Sequence, residues 1–377
     1  MNELTPFVFG VKAEGEVFTD RKEETEILRQ NFTHGINTII ISPRRMGKTS
    51  LVDKVAGIVA CDEIRVARMD AFACRSERDF ANAFVTAVIK ATSTRLDEWI
   101  QNAKTFISHL IPKISFGPDP MNELSISVDY NDFPNGLDEM LSLPEKVASK
   151  CGYRIVVCID EFQQIGEMND SLTFQKKLRT VWQHQKHVTY CLYGSKKHIM
   201  ENIFLNSSCP FYRFGDLFYL RKISREDWVS FICDRFEKTG KSISEELAGT
   251  ICDMTERYSS YVQQLAWFLW LRTERDACRE DLEIAVNRLL DANESLFIQM
   301  TESLSEYQMN FLRALTDGVT SGFSTQNVLD KYRLGTSANI NRLKKSLKEK
   351  DLIDSPRANC IELYDPILKL WLKKRIF

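Results

Sequence analysis

Residues Thr38–Ser50, T-I-I-I-S-P-R-R-M-G-K-T-S, constrain the fold of this chain more than any other stretch. The β-branched run Ile39-Ile40-Ile41 reads as a strand buried on both faces. A loop punctuated by Pro43 and Gly47 ends it, and a helical spacing of apolar residues (Leu51, Val52, Val55, Ile58, Val59) starts at once. A strand feeding a glycine loop that feeds a helix N-terminus is the context of a phosphate-binding loop. The unpaired N–H groups of the first helical turn, with the helix dipole, favour an anion at that point. Lys48 is spaced to reach the β and γ phosphates of a nucleotide, and the Thr49 hydroxyl to meet Mg²⁺. The candidate nucleotide-binding residues are therefore Ser42, Pro43, Arg44, Arg45, Met46, Gly47, Lys48, Thr49 and Ser50. Ser42 stands where the common pattern G-x-x-x-x-G-K-[ST] has its first glycine. Serine is small, and the demanding position is Gly47.

At 377 residues the chain has room for two or three domains. Apolar content of 44% and charged content of 27% are those of a soluble globular protein. No apolar run approaches the roughly 18 residues of a membrane span, and no basic-then-apolar leader opens the sequence. Ten scattered cysteines without a C-x-x-C pair predict reduced thiols in a cytoplasmic protein and argue against zinc. A net charge of −2 excludes a bulk attraction to nucleic acid, so any such attraction must be local.

Apolar runs alternate with helical patterns through the first 222 residues, which predicts a parallel α/β sheet. Thr19 or Asp20 is placed to cap a first helix through Ile27 and Leu28. Strands are expected at Thr38–Ser42, Ile64–Asp70, Tyr153–Glu161, Val188–Gly194 and Asp216–Leu220, with a helix over Asp79–Ile100. Alternation at Ile114, Phe116, Leu124, Ile126 and Val128 about a Gly/Pro-rich turn predicts a β-hairpin insertion at about 107–130. After Ile223 strand signals give way to helices, the first capped by Ser224. From about 301 a pattern of three helices and a two-stranded hairpin suggests a winged helix-turn-helix. The expected domains are 1–222, 223–300 and 301–377.

The run Tyr153–Glu161, Y-R-I-V-V-C-I-D-E, carries an acid pair at the end of a buried strand. Asp160 suits the Mg²⁺ position, and Glu161 suits a water-activating base facing the γ phosphate. Ser195, after the strand Val188–Gly194, either sits between that water and the phosphate or caps the next helix. Arg44 and Arg45 touch phosphate, reach a neighbouring element or are solvated. Arg179 and Arg213 are candidates for a charge-stabilising arginine supplied to a neighbouring site. In Lys331–Phe377 twelve Lys/Arg face five Asp/Glu. On Ser337–Lys350 the stripe Ile340, Leu343, Leu347 leaves Asn339, Asn341, Arg342, Lys345 and Lys348 off it. That face either meets DNA, with Lys344 beside it, or is a solvated surface of a protein-contact domain.

On these residues the chain resembles the prokaryotic archaeal-type ATPase family, which is grouped with the STAND and AAA+ P-loop ATPases and related to the origin-recognition ATPases. S-P-R-R-M-G-K-T-S is similar to that family's loop and I-D-E-F-Q (Ile159–Gln163) to its acidic strand end. L-Y-G-S-K (Leu192–Lys196) falls at its γ-phosphate sensor. F-T-D-R-K-E-E (Phe18–Glu24) resembles its box ahead of the loop, which implies Phe18, Asp20 and Arg21 near adenine. The G-N-P-type turn of the family's lid is replaced by Ser259-Ser260. The resemblance implies a P-loop NTPase sheet with a helical lid domain and a C-terminal winged helix. It implies binding of ATP and Mg²⁺ and catalysis by Lys48, Glu161 and Ser195. Hydrolysis is expected to be slow unless a protein partner or a homo-oligomer completes the site. The competing expectations are an ATP-regulated DNA-binding protein and a protein-interaction module with little hydrolysis.

Overall fold

A computed structural model describes residues 5–92, 114–118, 124–128, 136–357 and 359–377. The chain divides into two compact units, residues 21–221 and residues 1–20 together with 222–377.

Residues 21–221 begin with α1 (Lys22–His34), β1 (Thr38–Ile41), α2 (Lys48–Val59), β2 (Ile64–Asp70) and α3 (Glu77–Thr92). β3 (Ile114–Pro118) pairs antiparallel with β4 (Leu124–Val128), in the register Ile114 to Val128. The expected hairpin strands are thus present. Its turn, and the expected run of α3 on to Ile100, lie outside the described residues. The helical stretch after residue 136 is broken into α4 (Gly136–Leu141) and α5 (Leu143–Cys151), with Pro144 at the start of α5. β5 (Arg154–Asp160), α6 (Ser171–Trp182), β6 (Val188–Gly194), α7 (Lys197–Leu205) and β7 (Asp216–Tyr219) complete the unit.

β1, β2, β5, β6 and β7 form one parallel sheet in the order β2-β5-β6-β1-β7. The registers align Asp70 with Asp160 and Ile41 with Gly194, so the loops after β1, β2, β5 and β6 leave from one edge. β1, β6 and the middle of β5 are buried throughout, as unalternating apolar runs require. Trp182 stacks on Tyr190 at 4.1 Å between ring centres, and Phe80, Phe84, Phe162, Phe211 and Phe214 close around it. Phe162 directly follows Glu161, so this aromatic core anchors the loop after β5.

The first helix differs from expectation at its start. The cap position is held by Arg21, not by Thr19 or Asp20, and Arg21 makes no side-chain capping bond; Asp20 (φ 51°) and Arg21 (φ 66°) are both left-handed.

The second unit holds α8 (Arg225–Lys238), α9 (Glu245–Met254), α10 (Ser259–Arg272), α11 (Arg279–Thr301), α12 (Glu306–Thr316), α13 (Gln326–Tyr332), α14 (Ser337–Glu349) and α15 (Pro366–Trp371). β8 (Ile353–Arg357) and β9 (Cys360–Leu363) pair antiparallel between α14 and α15. Ser224 caps α8 by accepting from the Asp227 N–H, and Ser305 with Gln308 forms a full capping box on α12. The N-terminal segment belongs here. Phe7 is buried against Phe231 and Phe236, Phe9 packs edge-on against Phe268, and Gln263 bonds the Val8 N–H and the Val17 carbonyl. The Tyr261 hydroxyl donates to Asp365 Oδ2 at 2.6 Å, and Tyr258 donates to the Tyr364 carbonyl. These bonds tie α10 to the entry of α15. No helix among the described residues is long and apolar enough to cross a membrane.

Candidate functional site

The loop between β1 and α2 is built by backbone geometry. Arg45 (φ 68°) and Gly47 (φ 84°) are left-handed, and Gly47 is the residue from which α2 departs. At Gly47 glycine removes the cost of that conformation. Ser42 is not left-handed, so its side chain costs no strain where the common pattern has glycine; it is buried and donates to the Pro43 carbonyl.

Lys48 is the first residue of α2 and is only 6% exposed. Its Nζ donates to the carbonyls of Ser42 and Pro43, each at 3.3 Å. Burial pushes the ammonium below the ordinary lysine range, while the Glu161 and Asp160 carboxylates oppose that push. A buried cation facing two carboxylates at the mouth of a helix N-terminus has its charge only partly compensated by carbonyl dipoles.

Thr49 and Asp160 meet across 111 positions of sequence, with the Thr49 hydroxyl 2.6 Å from Asp160 Oδ2. The other carboxylate oxygen accepts the Glu161 N–H at 2.8 Å. Burial is the main cause that pushes the Asp160 carboxyl up to about 6; the Thr49 bond works against it and the Glu161 charge adds to it.

Glu161 leaves β5 with φ 49°. Its Oε2 accepts from the Ser195 hydroxyl at 2.9 Å and from the Gln163 amide. Ser195 is therefore turned toward Glu161. The N-cap position of α7 is Lys196, which makes no side-chain capping bond. Arg44 is exposed, and its Nε reaches Ser195 Oγ at 3.5 Å. Lys48, Thr49, Asp160, Glu161 and Ser195 thus converge at one edge of the sheet.

Arg21 is placed otherwise than a base-contacting residue would be. Its guanidinium is buried and donates to the carbonyls of Met46, at 3.1 Å, and Arg221, and it pairs with Glu24. It braces the phosphate loop from behind, and it joins the two points where the chain passes between the units. Phe18 and Asp20 belong to the other unit. The Arg179 guanidinium lies over the Phe214 ring and that of Arg213 over Tyr212. Gln163 was not among the expected residues. The signal for it was its position two residues after Glu161, where a single tight turn can bring it back.

Residues 295–374 match the family model described as "Probable winged helix domain". Among solved structures, a Walker-type ATPase of Pyrococcus abyssi superposes with a TM-score of 0.70 at 16% identity, covering 98% of this chain and 99% of that one. The ORC2 protein of Aeropyrum pernix, in ADPNP–ADP complexes, gives 0.62 at 13% identity, covering 99% and 96%. The ORC1 protein of the same organism, in complex with DNA, gives 0.50 at 12% identity, covering 96% and 94%. The fold is the P-loop fold of Walker-type and ORC ATPases. Within it, residues 21–221 carry the P-loop sheet and the C-terminal part is a winged helix. Comparison with curated proteins finds no match. On the winged helix, Ile340, Leu343 and Leu347 of α14 are buried while Asn341, Arg342, Lys345 and Lys348 are exposed. Asn339 is half-buried, and Lys344 lies over the Phe323 ring.

Proposed function

We propose that residues 21–221 bind ATP with Mg²⁺ and hydrolyse it to ADP and phosphate, and that the cycle switches the conformation of the protein. The carrying observation is the convergence of a buried lysine, a threonine–aspartate pair and a held glutamate at one sheet edge. The donor set fits a small hard cation, since a hydroxyl and a carboxylate oxygen meet at 2.6 Å and burial leaves Asp160 short of positive charge. When bound there, Mg²⁺ supplies charge neutralisation on the β and γ phosphate oxygens. Thr49 and Asp160 would hold it.

The chain's own residues supply the rest. The N–H groups around Gly47 and the first turn of α2 receive the phosphates, and the Lys48 ammonium exchanges its carbonyl partners for phosphate oxygen. Glu161 accepts a proton from water as the water oxygen bonds the γ phosphorus and the bond from phosphorus to the bridging oxygen breaks. Ser195 fixes the carboxylate that takes the proton. Among the described residues, Arg179 and Arg213 lie over aromatic rings and neither serves the transferring phosphoryl group, so turnover is slow unless a partner protein or a second copy supplies an arginine. The lid helices and the winged helix belong to one compact unit, so the switch would carry them together.

The test is ATP turnover by the purified full chain, wild type against Glu161→Gln. Turnover should fall about 100-fold or more while ATP affinity stays within a few-fold. Equal turnover in the two would refute the assignment. A second reading is favoured by the exposed Asn341, Arg342, Lys345 and Lys348 on one face of α14: nucleotide controls DNA binding by the winged helix. Duplex affinity that is unmeasurable at low salt would exclude it.

A further inference from the structure

The loop after β5 returns on itself within three residues. Glu161 takes a left-handed backbone, and Phe162 enters the aromatic core against Trp182, Phe204 and Phe211. With that ring fixed, Gln163 comes back beside the carboxylate two positions earlier. Its side chain is nearly sealed from solvent, with the residue 2% exposed, and its Nε2 donates to Glu161 Oε2. The other end of the amide, Oε1, is buried without a hydrogen-bond partner. A buried amide carbonyl left unpaired is costly. The chain accepts that cost at a place where the amide's other end reaches Glu161.

Gly194 shows how closely the amide is fitted. A Cβ added there would lie 2.0 Å from Gln163 Oε1 and 2.9 Å from Met200 Sδ. Gly194 is the last residue of β6 and is not left-handed, so its backbone does not demand glycine. The space it leaves is the space the Gln163 amide fills. From the other side, the Ser195 hydroxyl donates to the same Oε2. Both donors hold one carboxylate oxygen, which leaves Oε1 of Glu161 to take a proton.

We infer that Gln163 is a positioning residue for Glu161: with Ser195 it pins Oε2, and Gly194 is glycine so that the amide can reach. Through Ser195 the pinned oxygen is also linked to Arg44 of the phosphate loop. This assignment rests on the hydrolytic reading above. A purely structural role would make Gln163 a filler of the gap beside Gly194, with effects on folding that ignore Glu161.

Gln163→Met keeps the length of the side chain and removes the donor. The expected result for the full chain is a fall in kcat of about ten-fold with ATP affinity within two-fold, the signature of a transition-state effect. In single-turnover measurements on Glu161→Gln, adding Gln163→Met should change the residual rate less than two-fold, because the group it positions is gone. Gly194→Ala, which displaces the amide by another route, should reproduce the loss and add little to it in the double variant. It decides the matter if Gln163→Met does not fold. The assignment is overturned if kcat is unchanged, if the ten-fold loss recurs in full on top of Glu161→Gln, or if affinity falls in parallel with rate. A wild-type chain without turnover refutes the hydrolytic reading and this assignment together. Wild-type turnover with an unaffected Gln163→Met refutes this assignment alone.

Discussion

The two units differ in what their polar side chains are gathered around. In residues 21–221 a set of buried ones gathers at the strand ends: Lys48, Gln163 and Ser195 are each at most 6% exposed and stand about Asp160 and Glu161. In the helical unit buried Gln263 bonds backbone groups, the Val8 N–H and the Val17 carbonyl, and the short polar side chains serve as helix caps. Ser224, Ser244 and Ser305 cap helices, and buried Asp365 caps α15 while accepting from Tyr261. Caps join residues two or three apart and each contributes about 1 kcal/mol. The Thr49–Asp160 pair closes a 111-residue separation and holds a carboxylate that burial disfavours. Stability alone does not ask for that, so the difference separates a site from a scaffold.

The sharpest way to break this comparison is on the scaffold side. Phe7→Ala should cost about 3–5 kcal/mol, as for a large buried aromatic. The loss should appear in the helical unit alone, read as hydrogen-exchange protection lost in α8 and α10 with the P-loop sheet unchanged. On the site side, Lys48→Ala should weaken ATP binding about 100-fold, near 3 kcal/mol, by calorimetry, with no loss of melting temperature. Retained affinity would reduce the buried lysine to a loop brace.

Asp160 gives an effect of comparable size and opposite sign. Its folded-state value, about 6, is above its ordinary 3.8, so the folded state holds the proton more tightly. The metal-free protein therefore loses stability as pH rises from about 4 through about 6. Asp160→Asn should relieve that loss, raising stability at pH 7.5 by up to about 3 kcal/mol, with the gain shrinking toward pH 5. Thermal melts in chelator at the two pH values check this; an unchanged difference would place the strain elsewhere. The smallest effect belongs to the exposed face of α14. Replacing Arg342, Lys345 and Lys348 by Ala should lower the salt slope of duplex binding by up to about 3 and leave intrinsic ATP turnover as it was.

Much of the sheet was legible because its signals are local. The runs at Ile39–Ile41 and Val188–Gly194 do not alternate, and buried strands result. Gly47-Lys48-Thr49 starts a helix where the apolar spacing begins, and Ser224 caps the helix it was expected to cap. What was not legible depends on packing. The order β2-β5-β6-β1-β7 follows from crossovers that no residue announces. Asp20 reads as a helix cap, but Asp20 and Arg21 are both left-handed, and Arg21 is drawn to carbonyls at Met46 and Arg221, the latter 200 positions away. Gln163 reads as an ordinary polar residue until Phe162 is seen in the core and Gly194 beside it.

Residues 21–221 are inserted into a unit whose two pieces are 1–20 and 222–377. On the ribosome the N-terminal piece is made first and its partners Phe231, Phe236, Gln263 and Phe268 some 200 residues later, on the order of tens of seconds at ordinary elongation rates. For that interval Phe7 and Phe9 have no helices to pack against, and the P-loop unit gains its last strand, β7, only at the end of it. A nascent chain at that point carries a complete parallel sheet and, ahead of it, an aromatic segment still without its partners. Its exposed rings favour aggregation until α8 and α10 are made.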